Sequence, residues 1–586
     1  HPSGLPGMLA FPHSASNFEL VSAAKSATGR ALAVMGPQVG YFAPQILMEQ
    51  DVHAPTIDAR GAAFPGVNLY VELGHGRDYA WSATSAGQDI EDTFAVDLCN
   101  PSGGAVSHDS RFYMFRGQCL PMDEVRRTES WTPNVADQTP PGSVTLLTLR
   151  TKMGLVVARA TVRGKPVAYT RLRSTYFHEV DSARGFSDFN DPGKMRNPHD
   201  FQVAAAKIGY TFNWAYVDDK HIAYFNSGNN PVRAANTDPR FPVAARFEWR
   251  GFNPDLNTAA YTPFSQHPQI VDQNYLTSWN NKQAPGYAAP DTDATYTSIY
   301  RSQLLDDRLR ARMRGGHKLV LADVINAMGD AGSVDLRGDK VLPQALRVIG
   351  KGDPQIAGAI AKLTAWYHDG SHRRDANKDG TYENSDAIQI MDAWWPLLVK
   401  ADLQPTLGES VYNQLTNADP IDNPPNNNGD HLGSAYDVGM YGSIQEDLLG
   451  VIAHHRALRR AAARRRAAAR KRHSKRHLAT AARRRRRCTH RHPCRRKHHR
   501  AAQPLFCGGG SLTACRTALL ASLRQALTIP RTTVYHDPSG DCADGDQTCF
   551  DSIHFRPLGA VTQPLIPWVN RPTYQQAVEI QGHGPR

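Results

Sequence analysis

The sequence predicts a mixed α/β protein of the α+β type, because two kinds of hydrophobic periodicity follow one another along its 586 residues. From residue 16 to about residue 300, short apolar segments are punctuated by Gly, Asn and Asp, which is typical of strands joined by turns. From about residue 301, apolar residues recur every three or four positions, as they do in amphipathic helices. We therefore expect a strand-rich core followed by a large helical addition.

Composition and periodicity divide the chain into five segments. We predict a loose tail at 1–15, a strand-rich core at 16–300, a helical region at 301–455, a basic low-complexity insert at 456–503 and a C-terminal segment at 504–586 that returns to the core. The first part of the insert has the composition of a solvated helix, whereas repulsion between its charges argues for disorder in the rest.

The net charge of +12 comes from one segment of the chain. Residues 456–500 hold 21 of the 67 Lys and Arg and no Asp or Glu, so the remaining 46 basic residues face 55 acidic ones. The folded body is therefore acidic, and a basic surface that binds nucleic acid is not a property of the whole protein. The sequence also lacks a run of about 18 apolar residues, so we expect no membrane-spanning helix.

Eight cysteines favour an exported protein with local disulfides, and the alternative is a cytosolic protein with buried free thiols. The cysteines are Cys99, Cys119, Cys488, Cys494, Cys507, Cys515, Cys542 and Cys549. The spacing from Cys488 to Cys494, with two histidines between them, suggests zinc. The surrounding positive charge opposes a dication, so a disulfide or unpaired thiols are the preferred interpretation there.

A serine near the start of the chain opens the stretch SNFELVSAAKSATGRALAVMGPQVGY, which begins at Ser16. From Ser16 to Gln38 it resembles, without a gap, the start of the catalytic β-chain of the penicillin acylase family, which belongs to the N-terminal-nucleophile hydrolases. Further blocks follow in the family's order, among them FPGVNLYVELGHGRDYAWSATSAGQDIEDTF, FNWAYVDDKHIAYFNSG, SWNNKQAPGYAAPD and NRPTYQQAVE. Several blocks in the correct order are more specific than any single motif.

The resemblance implies a four-layer αββα core and cleavage of the chain between Ala15 and Ser16. Residues 1–15 would then be the end of a spacer peptide. A serine hydroxyl needs a base, and the α-amine of a terminal serine, which titrates near ~7.7–8.0, can act as that base. Ser14 is the other candidate nucleophile, but it breaks the ungapped spacing and is not followed by Asn.

The same resemblance assigns roles around the nucleophile. It makes the Asn280 side chain and the backbone N–H of Ser85 the donors to the oxyanion. Gln38 steadies the surroundings of the nucleophile through its main chain, and Arg301 orients Asn280 or meets a polar leaving group. The acyl pocket falls at Val39, Leu73, Ala83 and Phe212, residues that composition alone would place in an ordinary core.

Calcium is the expected cofactor, at two places. The resemblance implies carboxylate ligands at Asp89, Asp92 and Asp291 and backbone carbonyl ligands at Glu91 and Pro239. Independently of the resemblance, DANKDGTYENSD has the spacing of an EF-hand loop, with Asp in place of the usual final Glu. Its ligand positions are Asp375, Asn377, Asp379, Thr381, Glu383 and Asp386. The alternatives are a solvated acidic turn and a polar helix–helix turn.

Together these observations predict an amidohydrolase that cleaves N-acylated small molecules through an acyl-enzyme on Ser16. By the family pattern its partner is an α-chain from the same precursor, and we expect an extracellular, periplasmic or cell-envelope location. The rival hypothesis is a binding protein without catalysis that keeps the fold and contacts nucleic acid or an anionic envelope through the arginine-rich insert. The insert has no aromatic residues, so the rival does not include base stacking or a specific nucleic acid.

Overall fold

The computed structural model describes residues 16–39, 46–132, 140–289, 296, 298–351, 354–418, 421, 440–476, 505–538, 540–552, 566 and 573–582. These residues form two compact units. The first unit contains the described residues up to Ser333 and those from Ser552 onward, and the second contains those between Val334 and Asp551. Among the described residues, no helix has the length and apolar character that crossing a bilayer requires.

The first unit contains the strands, as the alternating pattern predicts. They are β1 (Ser16–Val21), β2 (Leu32–Pro37), β3 (Met48–Ala54), β4 (Ile57–Ala63), β5 (Leu73–His75), β6 (Tyr79–Ser85), β7 (Glu91–Asp97), β8 (Phe112–Phe115), β9 (Gln118–Pro121), β10 (Asp123–Trp131), β11 (Gly142–Thr151), β12 (Gly154–Val162), β13 (Lys165–Arg173), β14 (Phe212–Asp218), β15 (Ile222–Asn226), β16 (Val243–Ala244), β17 (Gln269–Val271), β18 (Tyr275–Ser278) and β19 (Gln576–Glu579). Its helices are α1 (Ala183–Phe189), α2 (Pro198–Ala205), α3 (Ile299–Arg312) and α4 (Leu321–Gly332).

Two sheets pack face to face at the centre of the first unit. A four-stranded sheet in the order β18-β1-β2-β19 lies on a seven-stranded sheet in the order β17-β15-β14-β6-β5-β4-β3. Phe18, Leu20 and Met35 from the first sheet meet Ala215 and Val217 from the second in one buried apolar cluster. Such a cluster removes one face of each sheet from water, which is the main stabilisation of a two-sheet core.

Helices cover both outer faces, so the expected four-layer αββα arrangement is confirmed. Phe189 of α1 and Phe201 of α2 pack with Trp81 and Trp214 on the outer face of the seven-stranded sheet. On the other side, α3 packs against β18, and α4 packs against β2 and β19. The strand β19 pairs antiparallel with β2, which brings the C-terminal part of the chain beside the N-terminal strands.

A third sheet of the same unit has six strands in the order β10-β11-β12-β13-β7-β16 and surrounds its own apolar cluster, which includes Phe94 and Trp249. A disulfide joins Cys99 and Cys119 beside the small β8–β9 hairpin. This bond confirms part of the predicted disulfide framework.

The described secondary structure of the second unit is helical. The helices are α5 (Leu342–Ile349), α6 (Ala357–His368), α7 (Ser385–Leu407), α8 (Glu409–Ala418), α9 (Tyr441–Arg476), α10 (Leu512–Ala526), α11 (Arg531–Val534) and α12 (Gln547–Asp551). Disulfides Cys507–Cys515 and Cys542–Cys549 close loops of 8 and 7 residues. Cys488 and Cys494 lie outside the described residues, so the interpretation of that pair stays a prediction.

Candidate active site

Ser16 is the first residue of β1, held between β18 and β2 at the end of the four-stranded sheet. Its cross-strand neighbour on β2 is Pro37. Because side chains alternate along a strand, Ser16 shares with Phe18 and Leu20 the face of β1 that looks toward the seven-stranded sheet. The residue is 5% exposed, so its surroundings are set by protein groups.

The side chain of Asn280 contacts Ser16 directly. The backbone N of Ser16 donates to Asn280 Oδ1 at 3.0 Å, and Nη2 of Arg301 donates to the same oxygen at 2.9 Å. On the other side of the amide, Asn280 Nδ2 donates to the carbonyl of Ser85 at 2.9 Å. A guanidinium can only donate, so Arg301 fixes which end of the amide is oxygen.

Local chain geometry presents this amide to Ser16. Asn280 follows the end of β18 and adopts a φ of +61°, in the left-handed region that Asn tolerates better than most residues. Arg301 lies in the first turn of α3, whose start is fixed by Ser298 accepting a hydrogen bond from the N–H of Tyr300 at 3.2 Å. The turn after β18 and the start of α3 therefore meet over the first residue of β1.

A further residue, Trp279, links Arg301 to Gln38. The Arg301 guanidinium lies 5.4 Å from the centroid of the Trp279 ring, and Nη2 also donates to the Trp279 carbonyl at 3.3 Å. The indole Nε1 donates to Gln38 Oε1 at 2.6 Å. Gln38 was predicted to act through its main chain, whereas the contact described here uses its side chain. The Trp-Asn-Asn run is visible in the sequence, but no local pattern gives Trp279 this role.

Behind the site, polar side chains join the two central sheets. Thr84 of β6 and Ser278 of β18 share a hydrogen bond of 2.8 Å between their hydroxyls, and Asn213 of β14 donates to Thr84 at 3.2 Å. Buried hydroxyls and amides are usually paired in this way, because leaving one unpaired costs free energy. The network fixes β18, and with it Asn280, relative to the seven-stranded sheet.

Glu19, on the opposite face of β1 from Ser16, is fully buried. Burial raises the pKa of its carboxyl well above the usual value, against the opposing charges of Arg312 and Arg308, while Asp330 adds to the rise. A raised pKa favours a protonated, neutral side chain at this position. The sequence pattern alone gave no sign of a buried carboxyl, because acids are usually exposed.

The predicted acyl-pocket residues lie on three strands of the seven-stranded sheet and just after β2. Leu73 and Ala83 belong to the buried cluster on the outer face of the seven-stranded sheet, and Phe212 packs against that cluster. Phe212 is the cross-strand neighbour of Ser85. Val39 is half-buried and follows Gln38, and its carbonyl accepts a hydrogen bond from the Thr573 hydroxyl. Phe212 therefore lies beside the strand end that receives the Asn280 amide, whereas Leu73 and Ala83 belong to the cluster on the outer face of the sheet.

Two of the described ligands of the family-type calcium site contact an arginine. Asp89 and Asp92 are buried, and Arg233 pairs with both, at 2.8 Å from Asp89 Oδ1 and 2.9 Å from Asp92 Oδ2. Trp249 Nε1 donates to Asp92 at 2.5 Å. Pro239 and Glu91 are half-buried, and Asp291 lies outside the described residues.

The loop at 375–386 is held by hydrogen bonds between its own side chains and its backbone. Asp375 accepts from the N–H of Gly380 at 2.8 Å, and Gly380 has a φ of +87°. The sixth position of a calcium loop needs such a turn. The carboxylate of Asp386 pairs with Lys362 at 2.5 Å. The remaining predicted ligands Asn377, Asp379, Thr381 and Glu383 are exposed. Within the described ranges, no three His, Cys, Asp or Glu side chains form a group suited to a metal ion, and calcium stays a prediction at both places.

Comparison with known proteins identifies the fold and the family. A family model described as penicillin amidase matches residues 5–539. The chain belongs to the penicillin amidase family. This family member is 28% identical over 295 residues to penicillin G acylase from Escherichia coli, a match that covers 49% of the chain and 31% of that relative. The chain thus matches about a third of the length of that protein.

A solved structure supports the same fold for this family member. The thermostable penicillin G acylase from Alcaligenes faecalis in orthorhombic form superposes with a TM-score of 0.63 at 18% identity, over 96% of this chain and 87% of that one. At that level of identity the similarity is evidence for the fold alone. The site residues of this penicillin amidase family member rest on their own geometry.

Proposed function

We propose that this protein is an amidohydrolase that acts through Ser16 once the bond between Ala15 and Ser16 has been cleaved by the chain itself. The observation that carries the proposal is the hydrogen bond of 3.0 Å from the Ser16 nitrogen to Asn280 Oδ1. After cleavage that nitrogen is an α-amine. One of its N–H bonds keeps the Asn280 contact, which leaves the lone pair available to the hydroxyl of the same residue.

In the proposed reaction the α-amine removes the proton of Ser16 Oγ, and Oγ attacks the carbonyl carbon of the substrate amide. The C=O electrons move to oxygen and form a tetrahedral oxyanion. Its collapse breaks the C–N bond, and the leaving amine takes the proton from the α-ammonium group. A water then hydrolyses the Ser16 ester by the same sequence and releases the acid.

Asn280 Nδ2 and the N–H of Ser85 are the proposed donors to the oxyanion. The support for Asn280 is its orientation, since Nδ2 is directed to Ser85, the cross-strand neighbour of Phe212. A donor that is already oriented does not have to reorganise while charge develops, and this preorganisation is usually a large part of catalysis.

Arg301 has two proposed effects. It orients the Asn280 amide, and its charge acts on the α-amine of Ser16. Both nitrogens lie within 3.0 Å of Asn280 Oδ1, so they are at most about 6 Å apart. A positive charge at this distance disfavours protonation of the amine and lowers its pKa, so that more of the base is neutral near pH 7.

The substrate proposed is the amide of an N-acylated small molecule with an apolar acyl group. Val39, Leu73, Ala83 and Phe212 offer the acyl surface, which an α-chain from the same precursor would complete. β-Lactam antibiotics, acyl-homoserine lactones and lipopeptides all have this chemistry. Three disulfides are consistent with a periplasmic or secreted protein, the location proposed here.

Calcium remains a structural proposal, and no step of the reaction depends on it. At Asp89 and Asp92 the Arg233 guanidinium already neutralises charge, so the loop at 375–386 is the better-supported site. The turn at Gly380 supports it, and the pairing of Asp386 with Lys362 weakens it. A calcium titration should saturate with the parent protein and lose this site in Asp375→Asn. Unchanged binding in that variant would exclude the loop.

The test of the proposed function is Asn280→Ala in protein whose chain starts at Ser16. Losing one oxyanion donor should lower kcat by on the order of 10²–10³, about 2.7–4 kcal/mol, on a chromogenic phenylacetyl or long-chain acyl amide. KM should stay within a few-fold, because the donor acts on charge that develops during the reaction.

Asn257→Ala is the matched control for this experiment. Asn257 also has a positive φ, of +50°, and its amide donates to two backbone carbonyls, those of Arg173 and Tyr176. It is a structural asparagine of the same unit, and its substitution should lower stability without lowering kcat. If Asn280→Ala turns over like the parent protein, Asn280 is not the oxyanion donor.

A further inference from the structure

The helix α9 has two halves of opposite character. Its first half is anchored in the second unit, where Ile444, Leu448 and Val451 are buried at the spacing of one helix face. Asp447 adds hydrogen bonds of 2.8 Å from the backbone N–H groups of Phe506 and Cys507. From residue 456 to residue 468 every side chain is exposed, although the helix continues to Arg476.

The exposed half is strongly basic. Between residues 456 and 468 there are six arginines and no acidic residue. They are Arg456, Arg459, Arg460, Arg464, Arg465 and Arg466. Among the ion pairs of the described residues, none involves these six side chains. We call residues 456–468 the basic arm.

The arginine side chains of the basic arm repel one another, and this repulsion favours the binding of an anion. Arg456, Arg460 and Arg464 follow one another at intervals of four, and each like-charged pair at this spacing destabilises a helix by roughly 0.2–0.5 kcal/mol. Alanine, the best helix former, fills most of the other positions and offsets this cost. An anionic partner would remove the repulsion and release counterions, so its binding should tighten at low salt.

The placement of the six arginines around the helix indicates which kind of anionic partner the basic arm binds. At 100° per residue the six arginines lie on every side of the helix, which leaves no apolar stripe to enter a bilayer. The arm has no aromatic residue to stack on bases. Charges on every side of a helix suit a flexible polymer with regularly spaced phosphates. Such a polymer can wrap around the helix, and it binds through charge alone. The three disulfides favour an oxidising compartment, where such chains are envelope polymers rather than nucleic acid.

We propose that the basic arm is a docking site for a phosphodiester-linked anionic polymer of the cell envelope. It holds the protein at that surface and takes no part in amide hydrolysis. If all six arginines contact phosphates, they should contribute about −4 to the slope of the logarithm of the binding constant against the logarithm of the salt concentration, at roughly 0.7 per contact. A rise from 50 to 200 mM salt would then weaken binding by more than about a hundredfold.

The experiment uses the full protein expressed from its complete gene, with poly(glycerol phosphate) as the probe. Replacing the six arginines by Gln should make the slope of binding against salt shallower by about 4. Replacing them by Lys should preserve it, because charge rather than fork geometry is used. Both variants should keep the parent's rate of amide hydrolysis and its unfolding temperature, since the anchored half of α9 is unchanged. Binding by the Gln variant equal to that of the parent would overturn the proposal.

Two further probes identify the source of the phosphate. At equal phosphate concentration and equal salt, duplex DNA and vesicles containing phosphatidylglycerol should bind more weakly than poly(glycerol phosphate). Tighter binding of DNA would make the arm a nucleic-acid contact, and tighter binding of vesicles would make it a membrane contact. Either result contradicts the envelope polymer as the partner. None of these outcomes alters the test of Asn280, so the docking site and the proposed activity fail independently.

Discussion

Buried arginines are used differently in the two units of the protein. In the first unit, Arg301 donates to the amide oxygen of Asn280 and to the carbonyl of Trp279, beside the nucleophile candidate. In the second unit, Arg337 and Arg373 lie among the carboxylates of Asp335, Asp392 and Asp551. In the first unit the arginine orients the side chain of Asn280. In the second unit the arginines lie against buried carboxylates and offset their charge.

In the second arrangement all of the charged side chains are buried and contact one another. Arg373 is 2.8 Å from Asp551 Oδ2 and 2.9 Å from Asp392 Oδ1. The hydroxyls of Tyr382 and Tyr535 donate to Asp551 and Asp392, each at 2.8 Å. Burial raises the pKa of Asp551 to about 6, and the charge of Arg373 opposes that rise. Each of the three carboxylates contacts at least one of the two arginines, so we expect the loss of an arginine to affect folding rather than catalysis.

Arg373→Met should have the largest effect of the substitutions that test this contrast. Removing one partner from a buried ion cluster leaves carboxylates uncompensated and costs about 3–5 kcal/mol in the free energy of unfolding. Denaturant unfolding measures it. Arg347→Met is the control, because Arg347 is exposed and contacts only Gln344 among its described hydrogen-bond partners, so we expect a change within about 0.5 kcal/mol. A midpoint for Arg373→Met equal to that of the parent would contradict the structural role.

Arg301→Met should instead change catalysis. Loss of a hydrogen bond from a charged donor, worth about 1.5–3 kcal/mol, should lower kcat by roughly 10- to 100-fold. Without the positive charge the pKa of the Ser16 α-amine rises, so the acidic limb of the kcat/KM profile should move to higher pH. The loss should therefore be larger at pH 7 than at pH 9. Arg301→Lys keeps the charge and should restore the limb. If the acidic limb of the kcat/KM profile does not move in Arg301→Met, then Arg301 orients Asn280 but does not change the pKa of the α-amine.

Asp402→Asn tests a pH-dependent electrostatic effect in the second unit. Burial, together with the nearby charge of Asp447 and a hydrogen bond to it, raises the pKa of Asp402 to about 9. An unfolded Asp titrates near ~3.9, so the folded state holds a proton that the unfolded state has lost between these values. Stability from this group is present at low pH and falls by up to about 1.4 kcal/mol per pH unit as pH rises toward 9.

The Asn side chain cannot ionise, so Asp402→Asn should lack this loss. Its stability relative to the parent should grow from pH 6 to pH 9, as measured by thermal or denaturant unfolding at each pH. A constant difference across that range would show that Asp402 is ionised in the folded protein.

The contrast between the units also shows which features local sequence can predict. Strands, helices and the close cysteine pairs follow from short-range patterns. The ordered resemblance singled out Ser16, Asn280 and Arg301, and the structure joins these three through the Asn280 amide oxygen. The pairing of Arg373 with Asp551 was missed, because the two are 178 positions apart and charged residues are usually exposed. The position of Arg233 between Asp89 and Asp92 was missed for the same reason. Such contacts depend on how elements that are distant in sequence pack together, and the hydrophobic periodicity of a short segment carries no information about that packing.

The central claim is that Ser16 becomes a chain terminus, and the N-terminal sequence of the purified protein tests it most directly. Protein expressed from its complete gene should yield a heavy chain that begins Ser-Asn-Phe-Glu. Ser16→Ala should leave the precursor uncleaved and inactive, because the hydroxyl that attacks the Ala15 carbonyl is gone. A mature, active chain that still continues through Ala15 into Ser16 would contradict the account, since its nitrogen would be an amide without basic character.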